Sequence, residues 1–254
     1  IMRGWAFYYQ PLIHREEAEH AFEKALELDP QSLGARIGLA TLIGERVNRG
    51  ASKSPAQDMT RAEKLASEAV ERDPGSAQAY FALGLVHRSQ NRLAESRTEL
   101  EKAIALDRNH SAAFLQLGVT LLYSGEPEAA LPYLEHALRL SPTSANIHFF
   151  YAWTGYDYLL LNQADRAVDY YRKACAAAPQ VAIYWLSLAG ALGLKGDVDE
   201  AKAALAEAQK REPGKYSSMA KLLASTANIG TPKFLAMHKK TYEAGLIRAG
   251  LPEE

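Results

Sequence analysis

The side chains that most often carry out chemistry in proteins are few and scattered in this sequence. Its 254 residues include seven histidines and one cysteine. No two histidines have the His-Glu-x-x-His spacing that lets one helix face hold a zinc ion. The sequence also has no Gly-x-Ser-x-Gly nucleophile elbow, no phosphate-binding P-loop and no Gly-x-Gly-x-x-Gly turn. It therefore predicts a chain that is not an enzyme, with no catalytic residues, no metal ligands and no cofactor.

The individual reactive groups have simple structural interpretations. Cys175 stands at an apolar position of a predicted helix, and nothing beside it in the sequence would activate it, so we expect a buried structural thiol. The histidines are expected on solvated helix faces. His238, Lys239 and Lys240 form a basic tract that is too short for a nucleic-acid footprint, and a solvated surface is expected there as well.

The composition narrows the choice of partners and location. The formal net charge is −1, whereas binding to nucleic acid or to acidic lipid depends on an excess of Lys and Arg. No apolar run approaches the ~20 residues of a membrane helix, and the first residues lack the layout of a signal peptide. We expect a cytoplasmic chain that binds no nucleic acid and spans no membrane. Because it begins with Ile1, before Met2, we interpret it as a fragment of a longer protein.

A short phrase that occurs six times reveals the elements that position the side chains. ALELDP at residues 25–30 is followed by AVERDP, AIALDR, ALRLSP, ACAAAP and AQKREP. The spacing is close to the 34-residue period of a helix–turn–helix repeat. The phrases end at residues 30, 74, 108, 142, 179 and 213.

Within each period the residue sizes fit two packed helices. The fourth repeat has Leu117 and Gly118 on its first helix, and Ala130, Leu134 and Ala137 on its second. Small residues at a helix crossing let the backbones approach closely, and large apolar neighbours fill the remaining space. The sequence is identified as a member of the tetratricopeptide repeat (TPR) family. The expected fold is an all-α, right-handed superhelical solenoid of about six TPR repeats over residues 1–213.

Two repeats exceed the period. The second has ten extra residues within 44–60, a polar segment with Gly50, Ser52, Ser54 and Pro55, which predicts an extended loop between its two helices. The fifth has three extra residues within 144–168. This predicts a first helix that is one turn longer than in the other repeats.

Residues 214–254 are expected to form a C-terminal cap. A solenoid needs one because its last repeat otherwise exposes an apolar face to water. Thr231 can act as the N-cap of a closing helix with Pro232 at the first helical position, and Gly250 can end that helix.

The two ends of the chain carry a narrower resemblance. RGWAFYY at residues 3–9, the long second repeat and YEAGLIRAGLPEE at residues 242–254 resemble the C-terminal TPR region of bacterial class III adenylate/guanylate cyclases. The resemblance implies a regulatory, protein-binding arm behind an N-terminal cyclase domain, whose catalytic residues are not in this sequence. Related regions follow winged-helix DNA-binding domains in transcriptional regulators. Such a regulator, or a free-standing assembly scaffold, is an alternative.

The first helices of a TPR array line its concave groove. The expected groove residues are mostly apolar or aromatic, which suits a protein or peptide partner with an amphipathic helix or a hydrophobic segment. TPR proteins that clasp a terminal carboxylate have Lys, Arg and Asn at these positions, and this chain departs from that pattern. The chain's own C-terminal helix, or self-association with a second copy, is an alternative way to cover the groove. The groove set is Phe7, Ile37, Thr41, Phe81, Leu85, Arg88, Leu115, Val119, Leu122, Tyr123, Phe149, Trp153, Tyr156, Ile183 and Leu186.

Overall fold

A computed structural model describes residues 15–48, 51–225 and 230–254. These residues form helices and contain no β-strand, so the predicted all-α solenoid of helix–turn–helix repeats is confirmed. The helices are α1 (Arg15–Leu28), α2 (Leu33–Asn48), α3 (Pro55–Arg72), α4 (Ala77–Ser89), α5 (Leu93–Leu106), α6 (Ser111–Tyr123), α7 (Pro127–Leu140), α8 (Ile147–Leu160), α9 (Ala164–Ala177), α10 (Ala182–Lys195), α11 (Val198–Arg211), α12 (Met219–Ser225) and α13 (Pro232–His238), followed by a π-helical turn (Lys239–Glu243) and α14 (Ala244–Arg248).

The repeated phrase marks the end of the second helix in every repeat. Helices α1, α3, α5, α7, α9 and α11 each end two residues before the predicted repeat boundary. In the second repeat the Asp73 N–H donates to the Ala69 carbonyl at 3.1 Å. Pro74 follows and cannot continue the helix, because it lacks an N–H and its ring clashes with the preceding turn.

The predicted small-against-large crossing is present in both the third and the fourth repeat. A Cβ atom added to Gly118 would lie 2.6 Å from Leu134 Cδ2, and one added to Gly84 would lie 2.8 Å from Leu100 Cγ. Leu100 and Leu134 are both fully buried. The glycines therefore let the two helices of each repeat approach closely enough to bury a leucine between them.

The expected extended loop in the second repeat is wrong. Helices α2 and α3 have 16 and 18 residues, against 13 and 14 for α4 and α5, so the extra residues mainly lengthen both helices. Helix α2 ends at Asn48 and α3 begins at Pro55. Pro55 stands at the first helical position of α3, and Arg46 on α2 forms an ion pair with Asp58 on α3 at 2.9 Å. This pair and the proline stabilise the added turns.

The expected longer helix in the fifth repeat is also wrong. Helix α8 has 14 residues, only one more than α4 or α6. The remaining extra residues lie in the connection 141–146, where the Ser144 N–H donates to the Ser141 carbonyl at 3.3 Å. Pro142 and this turn delay the start of α8.

The described chain forms two compact units. The first extends to Ala113 and the second begins at Phe114. In the second unit, Tyr216, Tyr242 and Leu246 share one buried core with residues of α9, α10 and α11. The predicted division into an array at 1–213 and a cap at 214–254 stays a prediction.

The closing helix begins and ends as predicted. The Phe234 N–H donates to Thr231 Oγ1 at 3.2 Å, and Pro232 stands at the first helical position. Gly250 has a φ of +92°, which favours glycine, and it ends α14. None of the described helices combines the length and the apolarity needed to cross a bilayer.

The C-terminal segment is attached to the last repeat by backbone contacts. A Cβ atom on Gly193 of α10 would overlap the Gly245 carbonyl of α14, so both glycines are required for this close approach. The Met219 N–H donates to the Pro252 carbonyl at 2.7 Å, and the Ala220 N–H to the Glu253 carbonyl at 3.1 Å. The tail thereby satisfies backbone donors at the start of α12.

Candidate functional site

Helix α13, the π-helical turn and α14 follow one another without a break and together form the C-terminal helix. A cavity of about 410 Å³ opens in the second unit, between the repeats and this helix. Its walls come from α6, α8, α9, α10, α12, α13 and the π-helical turn, and they are largely aromatic and aliphatic. The lining residues are Tyr123, Phe149, Ala152, Trp153, Tyr156, Tyr171, Val181, Ile183, Tyr184, Ser187, Leu222, Leu223, Phe234, Leu235, His238, Tyr242 and Glu243.

One wall of the cavity is a set of aromatic rings that meet edge to face. Tyr123 contacts Trp153 with ring centroids 5.9 Å apart and an interplanar angle of 79°, and Phe234 at 5.1 Å and 80°. Tyr156 contacts Tyr242 at 6.0 Å and 87°. This geometry brings the positive edge of one ring to the negative face of the next, so the wall is stabilised beyond simple burial.

The mouth of the cavity is apolar and exposed. The described residues have eight large exposed hydrophobic side chains, and four of them border this one cavity. Phe149 is 49 % exposed, Ile183 38 %, Leu223 44 % and Leu235 44 %. They come from four different helices, α8, α10, α12 and α13. Single exposed apolar residues need no explanation, whereas a group around an apolar pocket marks a binding surface.

The polar groups of the cavity form neutral hydrogen bonds. A bond of 2.5 Å joins Tyr156 Oη and His238 Nδ1. Burial lowers the pKa of His238 to about 4 and raises the pKa of Tyr156 well above its usual value, so both groups are uncharged at pH 7. On the other side, Tyr184 Oη is bonded to His148 Nδ1 at 2.7 Å.

Among the described lining residues Glu243 is the one carboxylic acid, and His238 is neutral at pH 7. Its side chain is 15 % exposed, and Oε1 lies 3.7 Å from His238 Nε2. Burial raises the pKa of Glu243, and the positive charge of Lys239 partly offsets that rise. The cavity therefore combines an apolar wall with a single carboxyl group.

The structure brings together only part of the predicted groove set. Tyr123, Phe149, Trp153, Tyr156 and Ile183 line the cavity. Leu85 and Arg88 are half-buried, and Phe7 lies outside the described residues. The role of the set in partner binding stays a prediction. The side chains that are buried are Ile37, Thr41, Phe81, Leu115, Val119, Leu122 and Leu186.

The chain's own C-terminal helix covers part of the predicted groove. Phe234, His238 and Tyr242 follow one another at intervals of four residues and so share one face of this helix. Phe234 contacts Tyr123, while Tyr156 contacts all three of these residues. The helix thus fills one side of the aromatic surface and forms a wall of the cavity that remains.

The sequence interpretation missed the residues that α12 and the C-terminal helix contribute. The expected solvated position of His238 is wrong, because its ring packs among Tyr156, Phe234 and Tyr242. His87 is also buried, with 6 % exposure. Lys239 and Lys240 are exposed as predicted. The i, i+4, i+8 spacing of aromatic side chains on the C-terminal helix is the signal that identifies its buried face.

The other candidate groups supply no chemistry to the site. Cys175 is buried, as predicted, and burial raises the pKa of its thiol to about 12. A thiol with so high a pKa is almost entirely protonated at pH 7 and is a poor nucleophile. The described residues contain no cluster of three His, Cys, Asp or Glu side chains that could hold a metal ion.

Two family models match the chain, and both describe the tetratricopeptide repeat. One matches residues 56–111 and 154–216, and the other matches residues 8–32 and 111–144. Together they cover more than half of the sequence. The chain belongs to the tetratricopeptide repeat family. TPR repeats imply a protein–protein interaction module, which is the coarse function of this chain.

Curated relatives are similar over short parts of their own length. Anaphase-promoting complex subunit 3 of Schizosaccharomyces pombe is 23 % identical over 217 residues, which is 76 % of this chain and 32 % of the relative. Protein NPG1 of Arabidopsis thaliana is 30 % identical over 89 residues, 35 % of this chain and 12 % of the relative. The chain spans about a third or less of these two proteins.

Solved TPR structures share the fold. The hetero-tetramer Cut9–Hcn1 of the anaphase-promoting complex matches with a TM-score of 0.72 and 20 % identity, over 86 % of this chain and 41 % of that chain. A thermophilic TPR protein of Thermus thermophilus, TTC0263, matches with a TM-score of 0.61 and 24 % identity, over 74 % of this chain and 95 % of that chain. YrrB matches with a TM-score of 0.53 and 24 % identity, over 80 % of this chain and 97 % of that chain. The comparisons support TPR membership and give no support to the narrower cyclase resemblance.

Proposed function

We propose that this chain is a non-catalytic binding module whose second unit holds an apolar segment of a protein partner. The segment, an amphipathic helix or a hydrophobic peptide, would insert side chains into the cavity beside α8, α10 and the C-terminal helix. The observation that carries the proposal is the group of exposed side chains at the cavity mouth, Phe149, Ile183, Leu223 and Leu235.

The size and chemistry of the cavity suit this role. Binding pockets of about 300–1,000 Å³ with mainly apolar walls and a few polar groups are typical of ligand sites, and this cavity has about 410 Å³. Burial of apolar surface contributes about 25 cal/mol per Å². Covering the mouth residues therefore supplies a favourable free energy without any new hydrogen bond.

The relatives are consistent with a protein partner, at the level of the fold. YrrB is described as a TPR protein with an unusual peptide-binding site, and Cut9 forms a hetero-tetramer with Hcn1. Both are below 25 % identical to this chain. They support peptide or protein binding as the class of function. The position of the proposed site rests on the cavity described above and not on these structures.

A finer version of the proposal makes the chain the cytoplasmic regulatory arm of a bacterial nucleotidyl cyclase. Its support is the sequence of residues 242–254. In the structure this segment also has architectural roles, because Gly245 contacts α10 and the Pro252 carbonyl accepts from Met219. Sequencing the gene upstream of the Ile1 codon tests the version. A cyclase domain supports it, and a winged helix or no further domain contradicts it.

Site-specific photo-crosslinking tests the binding proposal. A photoreactive residue replaces Ile183 at the cavity mouth in one variant and Val198 outside the cavity in the other, since both side chains are 38 % exposed. The crosslinked partner segment is identified by mass spectrometry, and its affinity for the wild type is measured with the synthetic peptide. We expect one apolar segment to crosslink at 183 only. Equal crosslinking at both positions contradicts the proposal.

A further inference from the structure

Glu243 gives the cavity a chemical preference beyond apolarity. Resting on the proposed function, we infer that the bound segment carries a lysine or arginine whose aliphatic stem lies along the apolar walls and whose charge reaches the Glu243 carboxylate. The inference names the chemistry of the partner: an amphipathic segment with one basic side chain on its apolar face.

The charges around Glu243 favour a cation from outside the chain. His238 is neutral, and the positive charge of Lys239, an exposed residue, offsets the effect of burial on Glu243 only in part. Among the described residues, no Lys or Arg nitrogen lies within 4 Å of the Glu243 carboxylate oxygens. A carboxylate that is mostly removed from water is stabilised when a counter-charge pairs with it. A basic side chain in the cavity supplies that charge.

The rings that line the same cavity as Glu243 add a second attraction for the same ligand. Trp153, Tyr156, Tyr184 and Tyr242 line the cavity together with Glu243. The negative face of an aromatic ring attracts ammonium and guanidinium groups, and this attraction strengthens when water is excluded. The methylene stem of lysine or arginine also gains from contact with apolar walls. One side chain type therefore matches both features of the site.

The same features discriminate against other ligands. An acidic residue of the ligand at this position is repelled by the carboxylate of Glu243. A purely aliphatic residue covers the carboxylate and removes its remaining water without supplying a partner, which lowers the affinity. This preference is opposite to that of TPR grooves that bind a terminal carboxylate with Lys and Arg.

Matched peptides test the inference without altering the protein. Acetylated and amidated leucine-rich amphipathic helical peptides carry lysine, norleucine or glutamate at one central position of the apolar face, and isothermal titration calorimetry gives each dissociation constant. We expect the lysine peptide to bind about tenfold more tightly than the norleucine peptide. The glutamate peptide should bind most weakly.

Two protein variants locate the preference. Glu243→Gln should remove the tenfold advantage of lysine over norleucine, while Asp199→Asn, an exposed carboxylate outside the cavity, should leave it unchanged. If norleucine binds the wild type as tightly as lysine does, or if Glu243→Gln keeps the preference, the inference is overturned while the proposed function stands. If no peptide binds, both the inference and the proposed function are contradicted.

Discussion

The two units use the same repeat plan but fill the space between their helices differently. In the first unit, arginines bridge neighbouring helices: Arg46 on α2 pairs with Glu19 on α1 and with Asp58 on α3. Arg36 on α2 pairs with Glu68 on α3. In the second unit, aromatic side chains of α6, α8 and the C-terminal helix take the equivalent role, and a cavity remains between them.

The difference separates holding the fold from holding a partner. In an ion pair both charged side chains are already paired with a partner within the chain. Large rings attached to a helix that crosses the repeats cannot fill every gap, and the exposed Phe149 and Ile183 remain at the edge of the resulting pocket. The comparison predicts that changes at the cavity of the second unit affect binding, whereas changes in the ion pairs of the first unit affect stability alone.

The largest expected effect is at the crossing that attaches the C-terminal helix. Gly193→Val places side-chain atoms where the Gly245 carbonyl lies, so the two backbones must separate. We expect a loss of about 3–5 kcal/mol in the free energy of unfolding, since the repacking exposes part of the core. Urea unfolding followed by circular dichroism measures it.

The matched control for this variant is Gly44→Val in the first unit. Gly44 also lies within a helix, but a Cβ atom there meets no heavy atom of the described residues within 4 Å. We expect its stability to change by less than about 1 kcal/mol. Equal losses in the two variants contradict the claim that the cap depends on a glycine contact.

The next effect comes from a buried carboxyl group in the second unit. Both oxygens of Asp157 are buried and have no hydrogen-bond partner among the described residues. Burial, with Glu128 and Glu135 nearby, raises the pKa of Asp157 to about 8. Because the unfolded pKa is about 3.9, the folded state binds the extra proton. The contribution of Asp157 to the stability of the folded state is least unfavourable below pH 4. It becomes more unfavourable as the pH rises to about 8 and is constant above that pH.

Asp157→Asn tests this pH dependence. The amide cannot ionise, so we expect the variant to gain about 1–3 kcal/mol relative to the wild type at pH 9 and less at pH 5. Thermal unfolding at both pH values measures the difference. Asp169→Asn, at an exposed position on α9, is the control and should show no such change. A constant difference between Asp157→Asn and the wild type at the two pH values contradicts the assignment.

A smaller effect is expected in the charge network of the first unit. Arg46→Gln removes both ion pairs of Arg46, and we expect a loss of about 1 kcal/mol that shrinks in 1 M salt. The control is Arg172→Gln, which breaks one exposed pair with Glu200 and should lower stability less. Peptide binding by the second unit should be unchanged in both variants. A loss of binding in Arg46→Gln would contradict the separation of roles.

The smallest effect is a gain of stability at Gly44. The position is helical, and although Gly44 is buried, a Cβ atom there meets no heavy atom of the described residues within 4 Å. Gly44→Ala should therefore stabilise the protein by about 0.5–1 kcal/mol through helix propensity alone. Chemical denaturation against the wild type measures the shift, and a destabilised variant would show that the open space is needed.

Residue sizes repeated along the chain predict local contacts well and distant contacts poorly. The Gly118–Leu134 crossing and the helix end before Pro74 follow from patterns within one repeat. The lengths of α3 and α8 do not follow from such patterns. Polar residues such as Ser54, the N-cap of α3, are common at the start of a helix as well as in loops, so residue type alone does not separate the two. The Gly193–Gly245 contact joins residues 52 positions apart, and no local pattern marks it.

The same limit explains what the sequence shows of the candidate site. Tyr123, Trp153 and Tyr156 follow from the repeat register, but Phe234 and Tyr242 come from a helix outside the repeats. Because Phe234 packs on Tyr123 and Tyr156, truncating Tyr123 or Tyr156 disturbs the cap as well as the groove. Substitutions at the exposed mouth are the cleaner test of binding.

The central claim is that the cavity of the second unit holds an apolar partner segment, and one pair of variants tests it most directly. Leu235→Asp and Ile247→Asp place a charge on the same C-terminal segment at positions of similar exposure, 44 % and 42 %, and only Leu235 lines the cavity. Calorimetric titration with the lysine-bearing amphipathic peptide gives both affinities. We predict at least a tenfold loss for Leu235→Asp and wild-type affinity for Ile247→Asp. Equal affinities for the two variants would contradict the account.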